Sequence, residues 1–238
     1  VVYLDASLYP TYANGDLKDE LYTFNPVGGY YLSINVKDIP EVKVREAMTY
    51  AIDRDAICNS VLFGTAIPNS NFLQDGLIGA DDSAEQFAYD PEKAKSLLAE
   101  AGYPDGYDLR ITVNTKYPTS LTIATAVQAQ MAEAGIRVEI EQVDSAAWTD
   151  MKKSGGVTCG IGNWYVDYND PDSMLYPVSD GRVDLNSIFW HNDEFKQLMI
   201  DGVQTEDTAE RQEIYAHADH ILTHEEFAVA MIYNETMF

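Results

Sequence analysis

Between residues 107 and 165 three strand patterns alternate with two helix patterns, and this alternation restricts the possible folds more than any other feature of the chain. "YDLRITVNT" reads as a strand, "TSLTIATAVQAQMAEAG" as a helix closed by Gly135, and "IRVEIEQVD" as a second strand. "SAAWTDMKKSG" is then a helix and "VTCGIGNWY" a third strand. Connections of this length join parallel strands by right-handed crossovers, so the fold class is α/β: an open, mostly parallel sheet with helices on both faces. In such sheets ligands bind beyond the carboxyl ends of the strands.

The remaining segments supply further elements of the same kind. "YYLSINV" alternates with period two as a strand, and Pro40 opens a helix over "PEVKVREAMTYAIDRDAICNSVLFG". Val44, Ala47, Met48, Ala51 and Ile52 form its apolar stripe, which Gly64 ends. In "DPEKAKSLLAEAGY" Asp90 caps, Pro91 takes the first helical position and Gly102 terminates. Helices follow at "NDEFKQLMIDGV" and "TAERQEIYAHADHILTHEE", and the last strand is "FAVAMIYN". Residues 1–29 read as a lead-in of short strands and turns, and 30–238 as a single lobe.

The 238 residues, 46% of them hydrophobic, suffice for a sizeable core. Thirty-nine acids against 15 bases give a net charge of -24, which repels nucleic acid and anionic membrane surfaces. No run approaches the ~20 apolar residues of a membrane-spanning helix. Cys58 and Cys159 have neither metal-ligand nor CxxC spacing, so one disulfide and two buried thiols both remain open.

"WYVDYNDP", residues 164–171, places acids where the third crossover strand runs out into a loop. Asp170, just before Pro171, fits a capped turn. Asp167 is the first polar residue past an apolar stretch, suited to attracting a cation. With Asp172 the acids could also hold a hard metal or perform acid-base catalysis, which keeps a metal-dependent hydrolase as an alternative of another class. His217, His220 and His224 fall within about a 60° arc of an ideal helix, a second candidate for a metal face. Tyr30-Tyr31 and Trp164-Tyr165 are aromatic pairs on strands, where neighbours point to opposite faces, so one ring of each belongs to the core and the other can line a cleft.

Taken together, "YYLSINV", "VKVREAMTYAIDRDAI", "GTAIP", "YDPEKAKSLLAEAGY", "WYVDYNDP" and "ERQEIYAHADHIL" resemble, in family order over residues 20–233, the C-terminal lobe of the extracytoplasmic solute-binding proteins of peptide ABC transporters. The resemblance implies a periplasmic-binding-protein-like (type II) lobe, with the first lobe outside this chain and both chain ends leading toward the hinge, near one another. It implies a monomer outside the cytoplasm, in a periplasm or lipid-anchored, that delivers a peptide ligand to an ABC permease. Neither catalysis, cofactor nor metal is implied. Asp167 would pair with the α-ammonium of the peptide, the backbone of Asn163 and Tyr165 would bond its main chain as an added strand, and Trp164 would line the pocket. Tyr30 is the cleft candidate of its pair, and Lys116 or Tyr117 in "NTKYPTS" would reach the ligand. Ile161 and Gly162 offer no charge where oligopeptide binders can carry a basic residue, which leaves peptide length open, and a sugar, a metal chelate or another small solute is the alternative ligand.

Overall fold

A computed structural model describes residues 6–81, 83–178 and 188–237. The expected strand at Val1 and the two chain ends lie outside these residues; the described part of the lead-in holds helical turns, including α1 (Tyr9–Ala13), instead of short strands. Phe24 forms a bridge with Met237, so the end of the lead-in meets the end of the last strand.

The elements that follow are β1 (Gly28–Ile34), α2 (Val42–Tyr50), α3 (Arg54–Ala56), β2 (Ala66–Pro68), α4 (Pro91–Glu100), β3 (Tyr107–Asn114), α5 (Pro118–Glu133), β4 (Ile136–Val143), α6 (Ser145–Ser154), β5 (Cys159–Tyr165), α7 (Pro171–Leu175), α8 (Asp193–Gln204), α9 (Thr208–His220) and β6 (Val229–Glu235). The helix starts follow their caps. Asp90 accepts from the N–H of Lys93 at 2.8 Å, and Asp144 accepts from Ala146 and Ala147 at 2.9 Å.

One expected helix is two. The stripe from Val44 is interrupted at Asp53, whose extended backbone is held from α5 by the Gln130 side chain, with bonds of 3.0 Å to its N–H and 3.2 Å to its carbonyl. Asp53 then caps α3, which runs on as a π turn over Ile57–Val61.

The strands form one sheet in the order β2-β6-β1-β5-β3-β4. β3 pairs parallel with β4 and β5, as the crossovers demand. The other three pairings, β1 with β5, β1 with β6 and β2 with β6, are antiparallel. The sheet is therefore mixed, not mostly parallel, because β1 and β6 enter from segments remote in sequence that no crossover constrains.

Alternation divides the core between the two faces. Tyr30, Leu32, Cys159, Ile161, Ala230 and Ile232 pack under α2, α4 and α5. On the other face Val229 and Met231 join Phe72, Met174, Phe195 and Tyr215 from the loop after β2 and from α7, α8 and α9. Cys58 and Cys159 are unpaired buried thiols in the first of these cores, and burial pushes Cys58 up to about 12. In the second core Asp219 of α9 is buried, and its two carboxylate oxygens accept the N–H groups of Phe72 and Leu73 at 3.0 and 3.1 Å. Burial raises this carboxyl to about 7.

A folded-state value above the ordinary one means that the folded protein holds the proton longer, so this group's contribution to stability falls as pH rises from about 4 to about 7. Asp219→Asn removes the titrating group and this pH dependence with it. Denaturant midpoints measured from pH 4 to pH 7.5 should show the variant gaining on the parent as pH rises. The opposite trend would mean that the two N–H bonds outweigh burial.

Candidate functional site

Past Gly160 the sheet splits. β5 remains paired with β1 along its whole length, from Cys159 opposite Ile34 to Tyr165 opposite Gly28. Its ladder with β3 covers only Ile111 opposite Cys159 and Thr112 opposite Gly160. Residues 161–165 thus carry one strand edge without a ladder partner among the described residues, and such an edge exposes main-chain donors and acceptors.

This wedge opens into a groove of about 480 Å³ lined by Tyr31, Asn114, Tyr117, Trp148, Gly162 and Asn163, with Trp164 and three lysines, Lys116, Lys152 and Lys153. Two glycines shape its floor by close approach. A Cβ on Gly160 would stand 2.7 Å from the Trp148 ring, and one on Gly162 would stand 3.1 Å from the Tyr31 ring. Larger residues here would lift both rings off the strand. The Lys116 ammonium lies 5.2 Å from the centre of the Tyr117 ring.

The turn after β5 is fixed by Ser173. Its carbonyl accepts the Trp164 indole N–H at 2.9 Å, and its hydroxyl accepts the Asp167 N–H at 2.8 Å. Val166 N–H donates to the carbonyl of Val27 at 3.0 Å. Asp170 caps α7 by accepting from Asp172 N–H at 3.1 Å, and it receives two bonds from Arg211 Nη2, at 2.9 and 3.0 Å. The Tyr168 hydroxyl donates to Asp172 at 2.6 Å, which raises that phenol to about 12. Asp167 differs from both acids: it is exposed, and no ion pair or hydrogen bond to its carboxylate is found among the described residues.

Of the residues singled out by sequence, Asn163, Trp164 and Tyr117 lie on the groove, and Asp167 follows two residues beyond the end of the β5 strand. Tyr165 turns to the opposite face, where its hydroxyl donates to Glu235, and burial with this carboxylate raises it far above the ordinary phenol range. Only its backbone belongs to the open edge. Tyr30 is a correction: its ring is 5% exposed and stacks on Tyr233 in the core, centroids 5.2 Å apart, while the ring of Tyr31 takes the groove. Period two shows that the two tyrosines diverge, but which side is open depends on how the helices cover the sheet.

Trp148, Lys152 and Lys153 were not singled out. Their signal was present in the i, i+4 spacing of Trp148 and Lys152 on a helix leading into the acidic strand end, and in two adjacent lysines in an acid-rich chain.

The histidine face does not hold together. After His220 the helix passes into a π turn over Ile221–Glu225, which breaks the 100° step. His220 and His224 stack with centroids 5.0 Å apart, while His217 faces Glu194 on α8 at 3.6 Å. Among the described residues no three His, Cys, Asp or Glu side chains converge as metal ligands.

A family model described as bacterial extracellular solute-binding proteins, family 5, middle, matches residues 1–185. The chain is 30% identical over 231 residues to heme-binding protein A of Haemophilus influenzae, a match covering 92% of this chain and 42% of the relative. It is 30% identical over 217 residues to the dipeptide-binding protein of Escherichia coli, covering 87% and 40%. A crystal structure of a periplasmic oligopeptide-binding protein from Borrelia burgdorferi superposes with a TM-score of 0.89 at 26% identity, covering 99% of this chain and 48% of that one. The chain therefore spans less than half the length of these relatives.

The Asp170 to Arg211 contact is testable by itself. Asp170→Ala removes a helix cap and strands a guanidinium that is mostly buried, and should cost about 2 to 4 kcal/mol in urea unfolding. A change under about 0.5 kcal/mol would class the pair with surface ion pairs.

Proposed function

Since this chain belongs to the bacterial extracellular solute-binding proteins of family 5, we propose that it is the ligand-capturing lobe of the substrate-binding component of an ABC importer, with peptides as ligands and no catalytic step. The protein works outside the cytoplasm and hands its ligand to a membrane permease. No helix among the described residues is long and apolar enough to cross a membrane.

The observation that carries this reading is the open edge of β5 ending at an exposed acid without a cationic partner. A peptide laid along residues 161–165 adds a strand, and main-chain bonds of that kind accept any side-chain sequence. Register then needs a charged anchor. The Asp167 carboxylate supplies it for the peptide's α-ammonium, while Asp170 and Asp172 are occupied by Arg211 and Tyr168. Trp148, Trp164, Tyr31 and Tyr117 offer aromatic surface to side chains. Lys116, Lys152 and Lys153 set positive charge along the groove and suit the ligand's carboxylate end.

A cleft in this family reading closes between two lobes, and this chain contributes one wall. Main-chain and ammonium recognition favours peptides over a sugar or a metal chelate, which carry no α-ammonium.

In the complete two-lobed protein, Asp167→Asn should weaken peptide affinity by roughly 10- to 100-fold, the value of one charged hydrogen bond of about 1.5–3 kcal/mol. Calorimetry with a peptide and its N-acetylated form reads this directly. Acetylation should cost the parent protein as much as the substitution and cost the variant little more. An unchanged dissociation constant in Asp167→Asn removes the residue from this role.

A further inference from the structure

The main-chain groups of β5 alternate in direction. The N–H of Val166 donates to the carbonyl of Val27 at 3.0 Å, in the register that sets Tyr165 opposite Gly28. Even-numbered residues thus turn their main-chain groups toward β1, and Asn163, Tyr165 and Asp167 turn theirs toward the open edge. The last donor of that series is closed to a ligand, because the Asp167 N–H is taken at 2.8 Å by the hydroxyl of Ser173.

Ser173 departs from the common behaviour of its residue type. Within a helix, Ser and Thr hydroxyls turn back on the carbonyl four residues earlier, as those of Thr125, Thr149 and Ser154 do in α5 and α6. Ser173, 3% exposed in α7, instead reaches back to Asp167. The helix cap places its backbone for this: the Ser173 N–H donates to the carbonyl of Asp170 at 3.0 Å, and Arg211 holds the Asp170 carboxylate. The hydroxyl makes the only hydrogen bond found at Asp167 among the described residues. The Trp164 indole is held by a different atom, the Ser173 carbonyl. Replacing the Ser173 side chain therefore releases Asp167 and spares the bond to the tryptophan.

We propose that Ser173 is a positioning residue for the ligand: its hydroxyl ends the open edge at Asp167, so that this residue offers the ligand its carboxylate and not its N–H. The inference rests on the reading of Asp167 as the ammonium anchor. A peptide added along Asn163 and Tyr165 then meets a stop where its own chain begins, beside a carboxylate whose backbone is held. The role needs an acceptor at this position. Alanine lacks one, and the cysteine thiol is a weaker acceptor of nearly the same shape.

Alanine tripeptide, free and N-acetylated, is the probe pair, since main-chain recognition accepts any side chains. In the complete two-lobed protein, calorimetry should show Ser173→Ala binding the free tripeptide about five- to tenfold more weakly than the parent does, a part of the worth of one charged hydrogen bond. A merely structural role would weaken both forms alike. Here the loss falls on the free form, so acetylation should cost the variant about five- to tenfold less than it costs the parent. Adding Ser173→Ala to Asp167→Asn should change affinity by less than about twofold, because both substitutions remove one interaction. Ser173→Cys should move both readings in the same direction by a smaller factor, and it serves where alanine impairs folding. An acetylation cost in both Ser173 variants equal to that of the parent overturns the proposal and leaves Asp167 as the anchor. A parent that binds both tripeptides equally, or neither, removes the ammonium reading itself and this proposal with it.

Discussion

The position of β5 in the sheet governs everything that faces the groove. On one side it is bound to β1 over its full length, and on the other it leaves β3 after two residues. The strand is thus rigid where it presents an open edge, because the β1 ladder holds it straight. A strand free on both sides would lack that order, and one paired on both would have no main-chain groups to offer. Gly160 and Gly162 let two aromatic rings settle against this segment, so groove and edge arise from the same few residues.

The acids after β5 show how one short motif divides its labour. In a chain with a net charge of -24, an acid that stays without a cation stands in a repulsive field and gains from any positive group that arrives. Asp170 is spared this by Arg211 and by the N–H groups of α7, and its work is to hold the turn. Asp167 keeps only its backbone engaged, on Ser173, which also anchors Trp164. The backbone of Asp167 and the indole of the groove tryptophan are therefore both held by one residue.

Much of this was legible in the sequence, where local rules decide. Asp90 before Pro91 and the glycines after the helices set their boundaries, and the crossovers fixed the parallel strands β3, β4 and β5. The antiparallel half was not legible, because β1 meets β5 and β6 across more than a hundred residues and nothing local encodes that pairing. The break at Asp53 depends on Gln130, a side chain from a later helix. The histidine face failed for a different reason: a single π turn after His220 changes the angular step that the pattern assumed. The position of Asp167 just past a strand end was legible from the pattern of "VTCGIGNWY", whereas choosing between Tyr30 and Tyr31 required knowing which face the helices cover.

One helix holds both the turn after β5 and the loop after β2. Arg211, in the first turns of α9, holds Asp170 and with it the turn that presents Asp167. One residue on, Gln212 bonds the N–H of Gly79 and the carbonyl of Ala80, each at 2.8 Å, and Asp219 two turns later takes the N–H groups of Phe72 and Leu73. These bonds bracket the loop that bears Asn71 and Gln74. Arg211 and Asp219 are about 12 Å apart along the helix axis, and the buried Tyr215 ring between them packs in the second core, with Gly202 of α8 against it. A cβ at Gly202 would fall within 2.5 Å of that ring, so α8 and α9 are in close contact there and cannot slide past one another cheaply. The turn after β5 and the amide-lined loop after β2 are consequently tied to one helix, beside strands that stand three apart in the sheet.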